Sequence, residues 1–199
     1  MVKLIWNREK RMPIIFVSAI ILFISSLFMP FVLVFLIQES VYHSKSYWFF
    51  ETPTSAYITF MIGMVWIPIV LILHLIIQWK YELRLLKWIT IFLICWSIPF
   101  FIYGISNYYY FDKKGLHYNH LESINQITTY EWENFKEVKE IYSRNKGITY
   151  LTNYQFLTTD NKVITLPYDI KFKENQNRII EKLKEHDIRV TSNYMDQYE

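Results

Sequence analysis

Long apolar stretches without charge alternate with short charged segments in the first half of the chain. Residues 13–38, 55–79 and 88–110 contain no Lys, Arg, Asp or Glu. A helix needs about 20 apolar residues to cross the hydrocarbon core of a bilayer, and none of the three stretches has the polar stripe of a surface helix. The pattern therefore predicts three transmembrane helices at about these positions, within a membrane region that covers residues 1–110.

From residue 106 onward, the chain shows shorter segments in which polar and apolar positions alternate. Six of them are predicted to be β-strands, because they are rich in β-branched and aromatic residues and end at turn residues: SNYYYFD, GLHYN, INQITTY, FKEVKEIYS, ITYLTNYQFLT and KVITLPY. Residues 174–186 instead show a helical stripe formed by Ile179, Ile180 and Leu183. Residues 111–199 are thus expected to form a small β-sandwich or barrel that a C-terminal helix closes.

The alternation also predicts which side chains are buried. In ITYLTNYQFLT one face carries Ile148, Tyr150, Thr152, Tyr154 and Phe156. The core is expected to contain Trp132, Ile148, Phe156, Ile164, Ile179 and Leu183. Two tight turns are expected, one in which Gly115 takes the left-handed conformation and one at residues 159–162. The residues from 191 to the end are expected to be frayed.

The order of these elements resembles that of a bacterial pleckstrin-homology-like (PH-like) barrel over about residues 106–190. The resemblance is carried by Tyr110, Phe111 and Asp112 before the turn of Lys113, Lys114 and Gly115, by Tyr130, Glu131 and Trp132 before Val138, and by residues 159–162 before Val163, Ile164, Thr165 and Leu166. Bacterial membrane proteins often carry such a domain after a few helices. The resemblance implies a binding or scaffolding module without catalysis, and it supplies no site residues.

Charge is divided unevenly between the two regions. Residues 1–110 carry only eight of the 21 basic and four of the 18 acidic side chains. The second region is close to neutral, which excludes a nucleic-acid-binding protein with a dominant basic face. A single cysteine, Cys95, excludes a disulfide scaffold. The chain is therefore expected to be a membrane protein with one extramembrane domain.

The basic residues predict an orientation. Seven of them flank one side of the predicted spans, namely Lys3, Arg8, Lys10, Arg11, Lys80, Arg84 and Lys87, and three flank the other, namely Lys45, Lys113 and Lys114. Basic flanks stay in the cytoplasm during insertion. The N-terminus is therefore expected in the cytoplasm and the C-terminal domain outside the cell membrane.

Polar residues inside the predicted spans are candidates for function, because ionisable groups are costly in lipid. His74 lies well within the second span, but no span contains an acidic partner for it. We therefore interpret it as a neutral histidine that faces another helix. Cys95 has apolar neighbours and no charged residue to activate its thiol, so it is interpreted as a small core residue.

The extramembrane region offers few groups for chemistry. His117 and His120 are three residues apart, which on a strand places them on opposite faces and argues against metal binding even with Glu122 nearby. The acidic run of Glu131, Glu133, Glu137 and Glu140 is interleaved with lysines and is interpreted as a solvated surface. Lys113 and Lys114 are interpreted as the charged end of the preceding helix, and Trp132 is interpreted as a core residue. No catalytic, cofactor-binding or metal-binding residue is predicted.

These observations favour a multi-pass membrane protein that is not an enzyme. Its PH-like domain is expected to bind or scaffold a protein, peptide or envelope component. The alternative is an accessory subunit of a transporter or channel, which would work through the three helices. Membrane lipid and a protein or peptide are the expected partners, nucleic acid is not, and the oligomeric state is left open.

Overall fold

The computed structural model of the chain describes residues 2–81, 85–121 and 126–195. The chain forms two compact units. The first, called the membrane unit, comprises Met1–Ser44, Thr52–Tyr108 and Asn119–Gln126. The second, called the sheet unit, comprises Lys45–Glu51, Tyr109–Tyr118 and Ile127–Glu199. The boundary expected between residues 110 and 111 leaves Lys45–Glu51 in the membrane region, whereas the structure assigns this segment to the sheet unit.

The membrane unit contains four helices: α1 at Val2–Val41, α2 at Thr54–Lys80, α3 at Leu86–Cys95 and α4 at Ile98–Ser106. They provide three stretches of spanning length and composition, at Met12–Val41, Thr54–Lys80 and Leu86–Ser106, which confirms the three predicted apolar helices. Large apolar side chains cover their outer surface; Phe28, for example, is 68% exposed. Such a surface is unfavourable in water and favourable against lipid tails.

The third apolar stretch is broken in the middle and ends earlier than expected. Pro99 has no N–H to donate to the carbonyl of Cys95, and its ring crowds that carbonyl, so α3 stops and α4 begins at Ile98. The Ser97 hydroxyl donates to Ile94 O at 2.7 Å. The expected end at residue 110 is wrong because the aromatic run after Asn107 forms a strand, not another helical turn.

Glycines allow α2 and α4 to pack closely. A Cβ atom on Gly104 would lie 2.9 Å from Phe60 Cβ and 3.0 Å from Ala56 O. A Cβ atom on Gly63 would lie 2.9 Å from Phe101 Cε1. Small residues at such contacts let helix backbones approach, which is how helices associate in lipid.

Eight strands and one helix make up the rest of the described fold. The strands are β1 at Phe49–Glu51, β2 at Tyr108–Phe111, β3 at Gly115–Asn119, β4 at Ile127–Glu131, β5 at Phe135–Asn145, β6 at Ile148–Thr158, β7 at Val163–Pro167 and β8 at Arg189–Ser192. A short 3₁₀ turn at Trp132–Asn134 precedes β5, and α5 spans Ile170–Glu185. The described strands form two four-stranded sheets, in the orders β1-β2-β3-β4 and β7-β6-β5-β8, and not a closed barrel.

Strand β1 comes from the loop between the first two spans. It pairs antiparallel with β2, and Phe49, Phe50 and Glu51 lie opposite Phe111, Tyr110 and Tyr109. Backbone pairing requires both strands to be in the same compartment. The loop after α1 and the chain after α4 must therefore leave the membrane on the same side, as three spans require.

Two local expectations are wrong. Arg189–Ser192 forms β8, which pairs parallel with β5, and Asn193 bonds to Tyr142, so the start of the segment from residue 191 is not frayed. Residues 196–199 lie outside the described residues. Gly115 is not left-handed; its φ of 159° is nearly extended. Glycine is needed there because a Cβ atom would lie only 2.0 Å from Tyr130 O.

The core of the sheet unit contains most of the side chains predicted from alternation. Trp132, Phe156, Ile164, Ile179 and Leu183 are buried, and Phe49 and Phe172 join them. Ile148, however, is 70% exposed. Asn153 lies opposite Ile141 while Leu151 lies opposite Tyr142, so Thr152 is an extra residue in β6. Such a bulge reverses the faces beyond it, and Leu151 packs on the core instead of Tyr150.

Replacing Phe49 tests whether β1 is part of this core. Phe49 is 3% exposed, and its ring centroid lies 5.5 Å from that of Phe111 and 5.9 Å from that of Phe172. Phe49→Ala should lower the free energy of unfolding of the sheet unit by about 3–5 kcal/mol. The measurement is denaturant unfolding of the purified full chain, followed by tryptophan fluorescence.

Ile148→Ala is the matched control, because an exposed side chain should change stability by no more than about 0.5 kcal/mol. Equal stabilities of the two variants would show that β1 does not stabilise the sheet unit.

Candidate binding site

Buried polar side chains in the membrane unit are paired with one another. The Gln38 amide is fully buried, and its Nε2 donates to Ile105 O at 2.9 Å and to Asn107 O at 3.0 Å. Its Oε1 accepts a hydrogen bond from Thr52. Asn107 Nδ2 donates to Ser55 Oγ at 2.8 Å. These bonds tie the end of α1 to the start of α2 and the end of α4, which is a structural role.

His74 is also satisfied within the helices. Its Nδ1 lies 2.6 Å from Thr90 Oγ1, and the Thr90 hydroxyl donates to Leu86 O at 2.8 Å. Because that hydroxyl has one hydrogen, the bond between His74 and Thr90 uses the Nδ1 hydrogen. The interpretation of His74 as a neutral residue facing another helix fits this arrangement. Cys95 is exposed on the helix surface, so its interpretation as a small core residue is wrong.

His117 belongs to a small hydrogen-bonded group at the first hairpin. Its Nε2 donates to Asp112 Oδ1 at 2.9 Å, and its Nδ1 lies 2.9 Å from Thr129 Oγ1. Asp112 also accepts from the backbone N–H groups of Lys114 and Gly115. Burial alone would raise the pKa of Asp112, but these hydrogen bonds and the nearby imidazole outweigh it and lower the pKa. The group fastens the hairpin.

The other sequence candidates do not assemble with His117. His120 follows β3, Lys113 and Lys114 are exposed at the turn, and Glu122 lies outside the described residues. Within residues 2–81, 85–121 and 126–195, no three His, Cys, Asp or Glu side chains come close enough to hold a metal ion. Trp132 is 1% exposed and stacks on Phe111 with ring centroids 5.5 Å apart, so it is a core residue.

The acidic run does not behave as one solvated surface. Glu131 and Glu133 are exposed, whereas Glu137 accepts a hydrogen bond from Thr191. Glu140 is partly buried and shares its face of β5 with the buried Val138, because side chains two apart on a strand point the same way. A comparison of alternate positions along β5, in place of the interpretation as one charged surface, would have identified Glu140 as partly buried.

Two tyrosines, Tyr142 and Tyr154, donate to Glu140, and two more, Tyr194 and Tyr168, pack on their rings. These four tyrosines are here called the tyrosine cluster. Tyr154 lies directly opposite Glu140 in the β5–β6 register and donates to Oε1 at 2.9 Å. Tyr142 donates to Oε2 at 3.2 Å. The Tyr194 ring meets the Tyr142 ring edge-on at 5.1 Å between centroids. The carboxylate is thus held by two phenolic O–H groups among aromatic rings.

Helix α5 completes the cluster. Gln176 Nε2 donates to Tyr154 Oη at 3.0 Å, and Tyr168 Oη donates to Gln176 Oε1 at 2.9 Å. Asp169 caps the helix by accepting from the Phe172 N–H at 2.7 Å, and the Phe172 ring stacks on Tyr154 at 4.8 Å between centroids. The cap therefore fixes the first turns of α5 where Gln176 can reach the tyrosines.

The electrostatics keep the phenols neutral. Burial raises the pKa of Tyr154 first, and the hydrogen bond and negative charge of Glu140 raise it further. Burial and the same carboxylate also raise the pKa of Tyr142. Among the described residues, no Lys, Arg or His forms an ion pair with Glu140. A partly buried carboxylate is thus solvated by O–H donors but not neutralised.

Three comparisons with known proteins add no family. No protein-family model, no curated protein and no solved structure matches the chain. What the fold defines is a membrane protein with three apolar helices and a separate small sheet domain.

The raised pKa of Tyr154 predicts that alkaline pH destabilises the sheet unit. The unfolded chain releases this proton at about pH 10, while the folded chain retains it to higher pH. Stability is then fully present below about pH 10 and decreases as the pH rises towards the folded pKa. Tyr154→Phe has no proton to lose, so thermal unfolding measured from about pH 9 to about pH 11 should show a shallower decrease.

Tyr150→Phe is the control, since Tyr150 is 47% exposed and lies outside the cluster. Its stability should fall with pH as steeply as that of the parent chain. Parallel pH curves for Tyr154→Phe and the parent would show that Tyr154 does not hold its proton in the fold.

Proposed function

We propose that the chain is a multi-pass protein of a bacterial cell membrane whose sheet unit is a PH-like domain that binds a protein or peptide. Two four-stranded sheets with a helix after the last hairpin support the PH-like assignment. The loop-derived β1 and the parallel β8 are additions to that pattern. No catalytic residue is part of this proposal, and lipid is the partner of the three spans.

One observation carries the proposed binding role: β5 and β6 extend beyond their sheet as a two-stranded ribbon. β8 pairs with β5 only at Glu137–Glu140, and β7 pairs with β6 only from Asn153 to Leu157. Tyr142 also bonds to the Asn193 side chain, and Thr152 O accepts from the Tyr168 N–H. Among the described strands, residues 143–145 and 148–151 therefore pair only with each other, and they are here called the ribbon. A two-stranded ribbon alone has little stability in water, so a bound partner would stabilise it.

The outer face of the ribbon has the chemistry of a protein contact. Ile148 is 70% exposed and Tyr150 is 47% exposed, and the two share one face since they are two residues apart on β6. Ser143 and Asn145 lie opposite them. The centre of a protein interface is enriched in aromatic residues and poor in charged ones, and the face that carries Ile148 and Tyr150 has this character.

Site-specific photocrosslinking tests this role in native membranes. A photoreactive phenylalanine analogue at Tyr150 should give an adduct of discrete mass, and Ile148→Asp in the same chain should strongly reduce it. The matched control position is Val163, which is 57% exposed on the edge strand β7. Equal adducts from Tyr150 and Val163, or no effect of Ile148→Asp at matched abundance, would contradict binding at the ribbon. A discrete adduct only from Phe28 in the first span would favour an accessory transporter subunit.

The seven-to-three distribution of basic residues supports a cytoplasmic N-terminus and an external sheet unit. Cysteine labelling tests this in a Cys95→Ser background. Asp160→Cys is preferred to Asn161→Cys, because Asn161 has a left-handed φ of 60° that a cysteine would adopt only with strain. An impermeant thiol reagent should label Asp160→Cys and Lys45→Cys in intact cells, and Lys80→Cys only after permeabilisation.

Two different failures are separable in that experiment. Labelling of Asp160→Cys and Lys45→Cys only after permeabilisation would reverse the orientation and leave the pairing of β1 with β2 intact. Labelling of these two positions from opposite sides would contradict the pairing itself.

A further inference from the structure

The geometry points to the tyrosine cluster as a binding site for a primary alkylammonium group, with Glu140 as its counter-charge. This inference deepens the proposed binding function of the sheet unit, on which it rests, by naming the chemistry of the group that is bound. The lysine side chain or amino terminus of a peptide carries such a group.

The first step is the charge of Glu140. Tyr154 and Tyr142 donate to its two oxygens at 2.9 and 3.2 Å, but both donors are neutral. No described basic side chain pairs with this carboxylate. Glu140 is partly buried, and a partly buried carboxylate without a counter-ion would be stabilised by a bound cation.

The second step is the aromatic surroundings. Tyr194 packs on Tyr142 at an interplanar angle of 81°, and Tyr168 packs on Tyr154 at 50°, so each phenol that donates to Glu140 is in contact with a second ring. A cation near the face of an aromatic ring is attracted by its quadrupole, and combined aromatic walls recognise ammonium groups. Carboxylate and rings therefore select for positive charge together.

The third step is the kind of cation. A divalent metal needs several oxygen ligands, and among the described residues no three His, Cys, Asp or Glu side chains come close enough to hold one. A guanidinium group binds a carboxylate best through two parallel hydrogen bonds, so it would need the remaining lone pair of both oxygens of Glu140 at once. An ammonium group is a compact point charge that needs only one remaining lone pair.

The experiment is titration of the purified full chain, in an amine-free buffer and a sugar-based detergent. The probes are n-butylammonium and uncharged n-butanol, and binding is followed by tyrosine and tryptophan fluorescence and by calorimetry. The parent chain should bind n-butylammonium saturably and n-butanol not at all. Glu140→Gln keeps the shape and a hydrogen-bond acceptor but removes the charge, so it should weaken binding at least about tenfold.

Two further variants keep the result interpretable. Glu133→Gln removes an exposed carboxylate of the same acidic run and should bind like the parent. Tyr194→Ala removes one wall at a position that is 41% exposed, so the fold should persist while affinity falls severalfold. Failure of the parent to bind n-butylammonium, or equal binding by Glu140→Gln and the parent, would overturn the inference.

The source of the ammonium group is resolved by two more probes. A short peptide with one lysine should compete with n-butylammonium more strongly than vesicles of phosphatidylethanolamine in phosphatidylglycerol do. Stronger competition by the vesicles would overturn the peptide assignment. These titrations do not involve the outer face of the ribbon, so crosslinking from Tyr150 and ammonium binding can fail independently.

Discussion

The backbone pairing of β1 with β2 is the constraint on which the rest of the structure depends. It joins a strand from the loop after α1 to the strand that follows α4. That pairing places Phe49 in the core of the sheet unit. It also requires the chain to leave the membrane on the same side after α1 and after α4. In the membrane unit, Gln38 bonds to Thr52 and Asn107, the residues that follow β1 and precede β2 in the chain. A buried amide thereby holds Thr52 and Asn107 close to each other.

The helices and strands that the sequence predicted correctly are those determined by local residue patterns. The apolar spans follow from length and composition alone, and β3, β6 and β7 follow from alternation between turn residues. It could not predict β1, because a three-residue strand has no periodicity of its own and its partner is distant in the chain. It also misplaced Ile148, since the bulge at Thr152 reverses side-chain faces without any mark in the pattern.

The candidate site shows the same division. Glu140 and Tyr142 could be placed on one face of β5 from the sequence, because they are two residues apart. Tyr154 reaches Glu140 because of the register between β5 and β6. Gln176 reaches the tyrosines because Asp169 caps the start of α5. Tyr194 is placed near Tyr142 because β8 pairs with β5 just before it in the chain. Each of these contacts depends on tertiary structure, so a charge run read along the sequence suggested only a solvated surface.

Polar groups in the two units differ in how completely they are compensated. In the membrane unit His74, Thr90 and the Gln38 amide are neutral and exchange hydrogen bonds with one another or with backbone carbonyls. Such pairing stabilises helix contacts in lipid and leaves little capacity for a ligand. Glu140 instead carries a charge that its two neutral donors do not cancel. A carboxylate without a counter-ion beside aromatic rings is the physical reason for the proposal that the sheet unit, and not the spans, binds a partner.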